Sequence, residues 1–123
     1  MYLLDSNILI YSVKKEHLFL RTYITDTLVT SAVSVATVIE VLGYHRLTTE
    51  DKKYFESCFA LLDIFEVTKA VSDKAVQLRQ QQKLSLGDSI IAATALVYDY
   101  ELITRNIDDF KTIPTLKLVN PFA

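Results

Sequence analysis

Four carboxylates set the chemical question: Asp5, Glu40, Asp88 and Asp109. Asp5 closes the apolar run YLL and is followed at once by Ser6 and Asn7, so it stands where a buried strand stops and a helix begins. Glu40 lies in VATVIEVLGY, with no other charge from Val35 to Tyr44. Its helical neighbours Ala36, Thr37, Gly43 and Tyr44 offer no cation, and burial of an unpaired acid is costly. Asp88 opens DSIIAATALVY and shares a face with the small residues Ala92 and Ala95. Asp109 belongs to TRNIDDF, directly after an apolar run.

Each acid also has an ordinary explanation. Asp5 can cap a helix, and Glu40 can pair across to another element or reach solvent. Asp88 gains about 0.3–1 kcal/mol from a helix N-terminus. Asn106 and Asp109 have the spacing of a capping box. Their coincidence is harder to dismiss. In a parallel sheet the strand ends of one kind share an edge, so acids far apart in sequence converge on one cleft. Carboxylates gathered there raise one another's pKa unless a cation intervenes. Mg²⁺ or Mn²⁺ fits an all-oxygen set of ligands, and such sites serve phosphate chemistry. Asp99 is excluded, since it falls about 16 Å further along its helix. His17 and His45 lie outside these segments, and the lone Cys58 allows neither an internal disulfide nor a thiolate cage.

The intervening chain supplies the scaffold. Strands are expected up to Leu4, over Ser31 to Val35, Ile64 to Val67, Glu101 to Thr104 and Leu116 to Val119. Helices are expected over Ser6 to Val13, His17 to Thr27, Thr37 to Tyr44 (apolar nearly all round, hence buried) and Thr48 to Leu62. Further helices are expected over Ser72 to Gln82 and Asp88 to Tyr98, with one turn from Ile107 to Phe110. Alternation without hairpin signals predicts an α/β fold, with a mainly parallel sheet of about five strands between two helical layers.

At 123 residues the reading is one domain, 1–123, and 50% apolar content is ample for a core. Two Gly and two Pro are too few for a loop-rich all-β chain, and a net charge of −2 gives no strong field for nucleic acid. The longest apolar-biased run, Ile90 to Tyr98, is well short of the roughly 20 residues of a membrane span. The opening residues leave no room for a signal segment, so a soluble cytoplasmic protein is expected.

Together, LLDSNILIY, SVATVIEVLGY, LSLGDSIIAATAL and LITRNIDDF resemble the PIN domain family in order and spacing. The likeness covers essentially the whole chain and is greatest to the small VapC-type toxins of bacterial toxin–antitoxin pairs. It implies a three-layer α/β/α fold and Mg²⁺- or Mn²⁺-dependent endoribonuclease activity. A metal-activated water would attack phosphorus in line and leave a 5′-phosphate. By position, Asp5, Glu40 and Asp88 match three acids of the metal site. The fourth acid falls in the family either at Asn106 or just before the Phe, where this chain has Asp109. Ser6 is placed to orient the first acid and Thr104 the last. Arg105, Arg46 and Lys83 are candidate RNA contacts. A cognate antitoxin and a homodimer are the implied protein partners.

Three other readings compete. A phosphoacceptor signalling domain needs adjacent acids and a Lys near its last strand, but Asp5 stands alone and Lys117 falls within a strand. A dehalogenase-like phosphatase needs Asp-x-Asp, and the third position is Asn7. A PIN-like binding module with an impaired site would have no reason to keep an acid buried at Glu40.

Overall fold

The apolar opening residues form β1 (Tyr2–Leu4), the centre of a five-stranded parallel sheet of order β3-β2-β1-β4-β5. The computed structural model describes all of residues 1–123. The flanking strands are β2 (Ser31–Ser34), β3 (Asp63–Phe65), β4 (Glu101–Ile103) and β5 (Leu118–Val119). Leu3 is in register with Ala32 and Leu102, and Leu4 with Ile103. Because side chains alternate across a strand, Leu3, Ala32 and Leu102 enter one core while Leu4, Val33 and Ile103 enter the other. Both faces are therefore covered, and the inner strands read as unbroken apolar runs.

The second core is shared with α1 (Ser6–Tyr11), α2 (Phe19–Thr27), α3 (Val35–Leu42) and α4 (Thr49–Leu61), through Ile8, Leu9, Leu20, Ile24, Val41 and Phe55. The first is shared with α5 (Lys69–Gln81), α6 (Leu86–Tyr98) and α7 (Ile107–Phe110). Oxygen side chains open most of these helices: Ser34 accepts from Ala36 N, Thr48 from Asp51 N, Thr68 from Val71 N and Ser85 from Asp88 N. Such caps satisfy one orphan N–H each. No helix is long and apolar enough to cross a membrane.

Several boundaries differ from the sequence expectation, for local reasons. Helix α5 begins at Lys69 rather than Ser72, because Thr68 supplies the cap. Helix α6 begins at Leu86, so Leu86 and Gly87 lie in its first turn. Helix α3 is not buried all round: Ile39 is 66% exposed and Glu40 faces solvent. Strand β5 is only Leu118–Val119, leaving Lys117 outside it with its ammonium 3.8 Å from the Asp99 carboxylate. Asp99 caps the C-terminus of α6 ahead of β4, so Lys117 lies at the amino edge of the sheet. The phosphoacceptor reading thereby loses the lysine it needs beside the acids.

Candidate active site

The chain runs outward from β1 through β2 to β3, then returns to the other side of β1 for β4 and β5. This reversal opens a crevice at the carboxyl ends of β1 and β4, the usual place for a ligand in an open α/β sheet. Asp5 follows β1 there and Thr104 follows β4. The Thr104 hydroxyl donates to Asp5 Oδ2 at 2.8 Å, closing the crevice floor between residues 99 positions apart.

Asp5 is 3% exposed and accepts three hydrogen bonds. Ser6 N–H reaches Oδ1 at 2.7 Å, while Asn7 Nδ2 and the Thr104 hydroxyl reach Oδ2 at 2.8 Å each. A carboxylate offers about four lone-pair sites, so the remaining one is on Oδ1. Burial still dominates and raises the Asp5 pKa from 3.8 to about 6. The Thr104 and Ser6 hydrogen bonds oppose the rise, whereas the charges of Asp88 and Glu40 add to it.

Glu40 reaches the same crevice from α3. Its Oε1 accepts from the Ser6 hydroxyl at 2.7 Å, which also lies 3.3 Å from Thr37 Oγ1. Its carboxylate rests against the first turn of α6: a Cβ on Gly87 would stand 2.9 Å from Glu40 Oε2. The missing side chain at Gly87 is what admits the acid. Asp88, the next residue, is half-buried. Its pKa is raised first by desolvation, then by Asp109 and Glu40, with the Ser85 hydroxyl favouring the ionised form.

The charges of Asp88 and Glu40 thus act on Asp5, and those of Asp109 and Glu40 act on Asp88. Asp88 and Asp109 also line a common cleft with Lys83, Ser85 and Thr112. None of the four acids is paired with a cation, since the ion pairs of the chain are Lys69–Asp73, Lys111–Asp108 and Lys117–Asp99. No three acidic side chains are drawn together tightly enough to form a ready-made metal cage. Carboxylate oxygens with no thiolate or imidazole among them suit a hard divalent ion that retains waters.

Several assignments change. The Ser6 hydroxyl holds Glu40, and only its backbone N–H serves Asp5. Thr104 orients the first acid rather than the last. Asn106 makes no side-chain cap to α7, so the capping-box explanation for Asp109 has no counterpart; its backbone N–H donates to Thr104 Oγ1 at 3.0 Å. Glu40 is not a buried acid, and the argument from burial belongs to Asp5 instead. Arg46 lies in an apolar cleft with Ile10, Tyr44, Leu47 and Phe55, lined by none of the four acids. Arg105 borders the site, in a cleft with Asn106, Asp108, Asp109 and Asn120.

The sequence reading missed Asn7, Thr37, Ser85 and Gly87. Two of these carried a local signal, because Thr37 precedes Glu40 by three residues on one helix face and Ser85 precedes Asp88 by the spacing of a cap.

The model for the PIN domain family matches residues 2–116. Among curated proteins, Ribonuclease VapC10 of Mycobacterium tuberculosis is 31% identical over 134 aligned positions, covering 100% of this chain and 94% of its own length. Ribonuclease VapC of Rickettsia bellii is 32% identical over 89 residues, an alignment spanning 64% of this chain and 66% of that relative. A toxin–antitoxin complex from Klebsiella pneumoniae contains a similar chain, with 31% identity, a TM-score of 0.74 and coverage of 97% and 96% of the two chains. VapBC2 from Rickettsia felis, solved with a DNA fragment of its promoter, shares the fold at a TM-score of 0.82 and 22% identity, each chain 97% covered.

Proposed function

The chain belongs to the PIN domain family, and from that premise we propose that it is a divalent-metal-dependent endoribonuclease, the toxin of a toxin–antitoxin pair. The observation that carries this reading is the buried Asp5 at the crevice between β1 and β4, its pKa raised by burial and by the charges of Asp88 and Glu40, with no Lys or Arg paired to any of the three. Buried Asp5 answers the alternative of an idle binding module. An acid pushed up to about 6 by its surroundings, yet supplied with three donors that favour its charged form, is suited to a cation.

Asp5, Glu40 and Asp88 would hold the ion, with Asp109 at the outer end and Asn106 beside it. When bound, Mg²⁺ or Mn²⁺ supplies an activated water and neutralises charge on the phosphoryl group. The chain's own residues do the rest. Thr104, Asn7 and Ser6 N–H fix the Asp5 carboxylate, leaving one Oδ1 lone pair to engage. The Ser6 hydroxyl and the bare Gly87 backbone fix Glu40. Lys83, which lines a cleft with Asp88 and Asp109, would meet RNA. The named relatives support RNA as substrate and an antitoxin as partner, and a homodimer completes the proposed assembly.

Incubation of the purified chain with a synthetic single-stranded RNA, in Mn²⁺, Mg²⁺ or EDTA, tests the reading. Fragments bearing 5′-phosphates are expected only with a divalent ion. Cleavage that persists in EDTA, or no cleavage with either metal, overturns it.

A further inference from the structure

We infer that Arg105 binds a backbone phosphate of the RNA strand, presented for that purpose by an aromatic shelf beside the acids; this rests on the nuclease reading above. A guanidinium next to unpaired carboxylates would ordinarily turn onto them, yet Arg105 forms no ion pair. Instead its guanidinium lies 4.3 Å from the centroid of Phe122 and 5.0 Å from that of Tyr11. The stacking is favourable in itself, because the ring face carries negative potential.

The shelf is braced. Tyr11, His17 and Phe122 meet edge to face at centroid separations of 5.5, 5.9 and 5.0 Å, and Phe19 abuts Phe122 at 5.3 Å. A second cation shares it, with Lys14 Nζ 5.4 Å from the Tyr11 centroid. Backbone geometry ties the group to the site: Arg105 N–H donates to Asn7 Oδ1, and Asn7 Nδ2 in turn holds Asp5.

The rings take no hydrogen bond from the guanidinium, so its N–H groups remain for a ligand, apart from the Nη1 group 3.4 Å from His17 Nε2. A planar fork of donors matches a phosphate in bidentate fashion. The neighbouring acid Asp108 pairs with Lys111 at 2.9 Å rather than with Arg105. The adjoining cleft, about 390 Å³ and lined by Arg105, Asn106, Ile107, Asp108, Asp109 and Asn120, has room for a sugar–phosphate unit whose phosphate lies on the Arg105 side, away from the two acids. Four acids at the site repel a polyanion locally, so a cation held off those acids favours the approach of the strand.

Wild type, Arg105→Ala, Arg105→Lys and Phe122→Leu should be compared on a fluorescein-labelled single-stranded RNA. Cleavage in Mn²⁺ would give kcat and KM, and binding in EDTA over a range of salt would give the electrostatic slope. Arg105→Ala is expected to raise KM about tenfold or more with kcat within about twofold. It should also reduce the slope of log affinity against log salt by about 0.7, one phosphate contact on a single strand. Arg105→Lys and Phe122→Leu should fall between, the first keeping charge without the fork and the second keeping the fork without its shelf. An unchanged KM and salt slope in Arg105→Ala overturns the inference, as does a loss confined to kcat. Should wild type bind RNA with an Arg105-dependent slope yet cleave nothing, the phosphate contact stands and the nuclease reading falls.

Discussion

Asp5 and Asp109 stand at opposite ends of one row of carboxylates, and the fold treats them in opposite ways. Asp5 follows the central strand, is almost wholly buried and is gripped by three donors from two strand ends. Asp109 sits on the single-turn helix α7, exposed, with no side-chain hydrogen bond or ion pair to fix it. Between them, Glu40 and Asp88 are held partly, by Ser6, Ser85 and the contact with Gly87. Position is thus determined most strictly where burial is deepest. One end of the row is a fixed anchor prepared before any ion arrives, and the other is free to adjust to what binds.

The contrast predicts graded effects. Asp5→Asn should lower Mn²⁺-dependent cleavage by about a thousandfold, the equivalent of the several kcal/mol a bound ion contributes to transition-state stabilisation. Steady-state assays on RNA check this, and a loss of tenfold or less would remove Asp5 as anchor.

The same carboxyl gives a stability signature without metal. Its folded pKa, about 6, lies above its ordinary value of 3.8, so between those values the folded state binds more protons. Asp5 therefore favours folding most below about pH 4, and that contribution is lost as pH rises through 6. The total change is up to about 3 kcal/mol, at 1.36 kcal/mol per unit. Urea unfolding of wild type and Asp5→Asn at pH 4.5 and 8 should show the wild type losing ground at the higher pH. Metal affinity should run the other way, weakening as pH falls below 6, because the ion must displace a proton.

Thr104→Ala withdraws one of the three donors and should cost 10- to 100-fold in activity, about the usual effect of removing a group that orients a ligand. Thr104→Ser should restore most of it, which a merely packed side chain would not require. Asp109→Asn, at the loose end, is expected to cost about tenfold and to be offset by raising Mn²⁺, as for a weakly placed ligand. If Asp109→Asn is as damaging as Asp5→Asn and no metal concentration rescues it, the two ends are equivalent and the comparison fails.

Much of the scaffold could be read from local pattern. Leu3 and Leu4 before Asp5 announced a central strand ending at an acid, and alternating strand and helix signals led to the parallel sheet. Boundaries slipped where one hydroxyl decided them, as Thr68 did for α5. The partners of the Ser6 and Thr104 hydroxyls differ from expectation for another reason. Adjacency suggested that each hydroxyl serves the acid nearest in sequence, but α1 turns the Ser6 side chain away from Asp5, and Thr104 follows the strand beside β1. Ser6 faces α3 and Thr104 faces β1.

The residue order by itself determined which acids exist and that they close strands or ride helices, because periodicity and capping act within a few positions. Only the tertiary structure decided which hydroxyl grips which carboxylate, that Glu40 fits because Gly87 is bare, and that Arg105 lies on Tyr11 and Phe122 rather than on the acids. Those contacts join segments up to 99 positions apart. Their geometry comes from strand order and register, which arise when the whole sheet assembles.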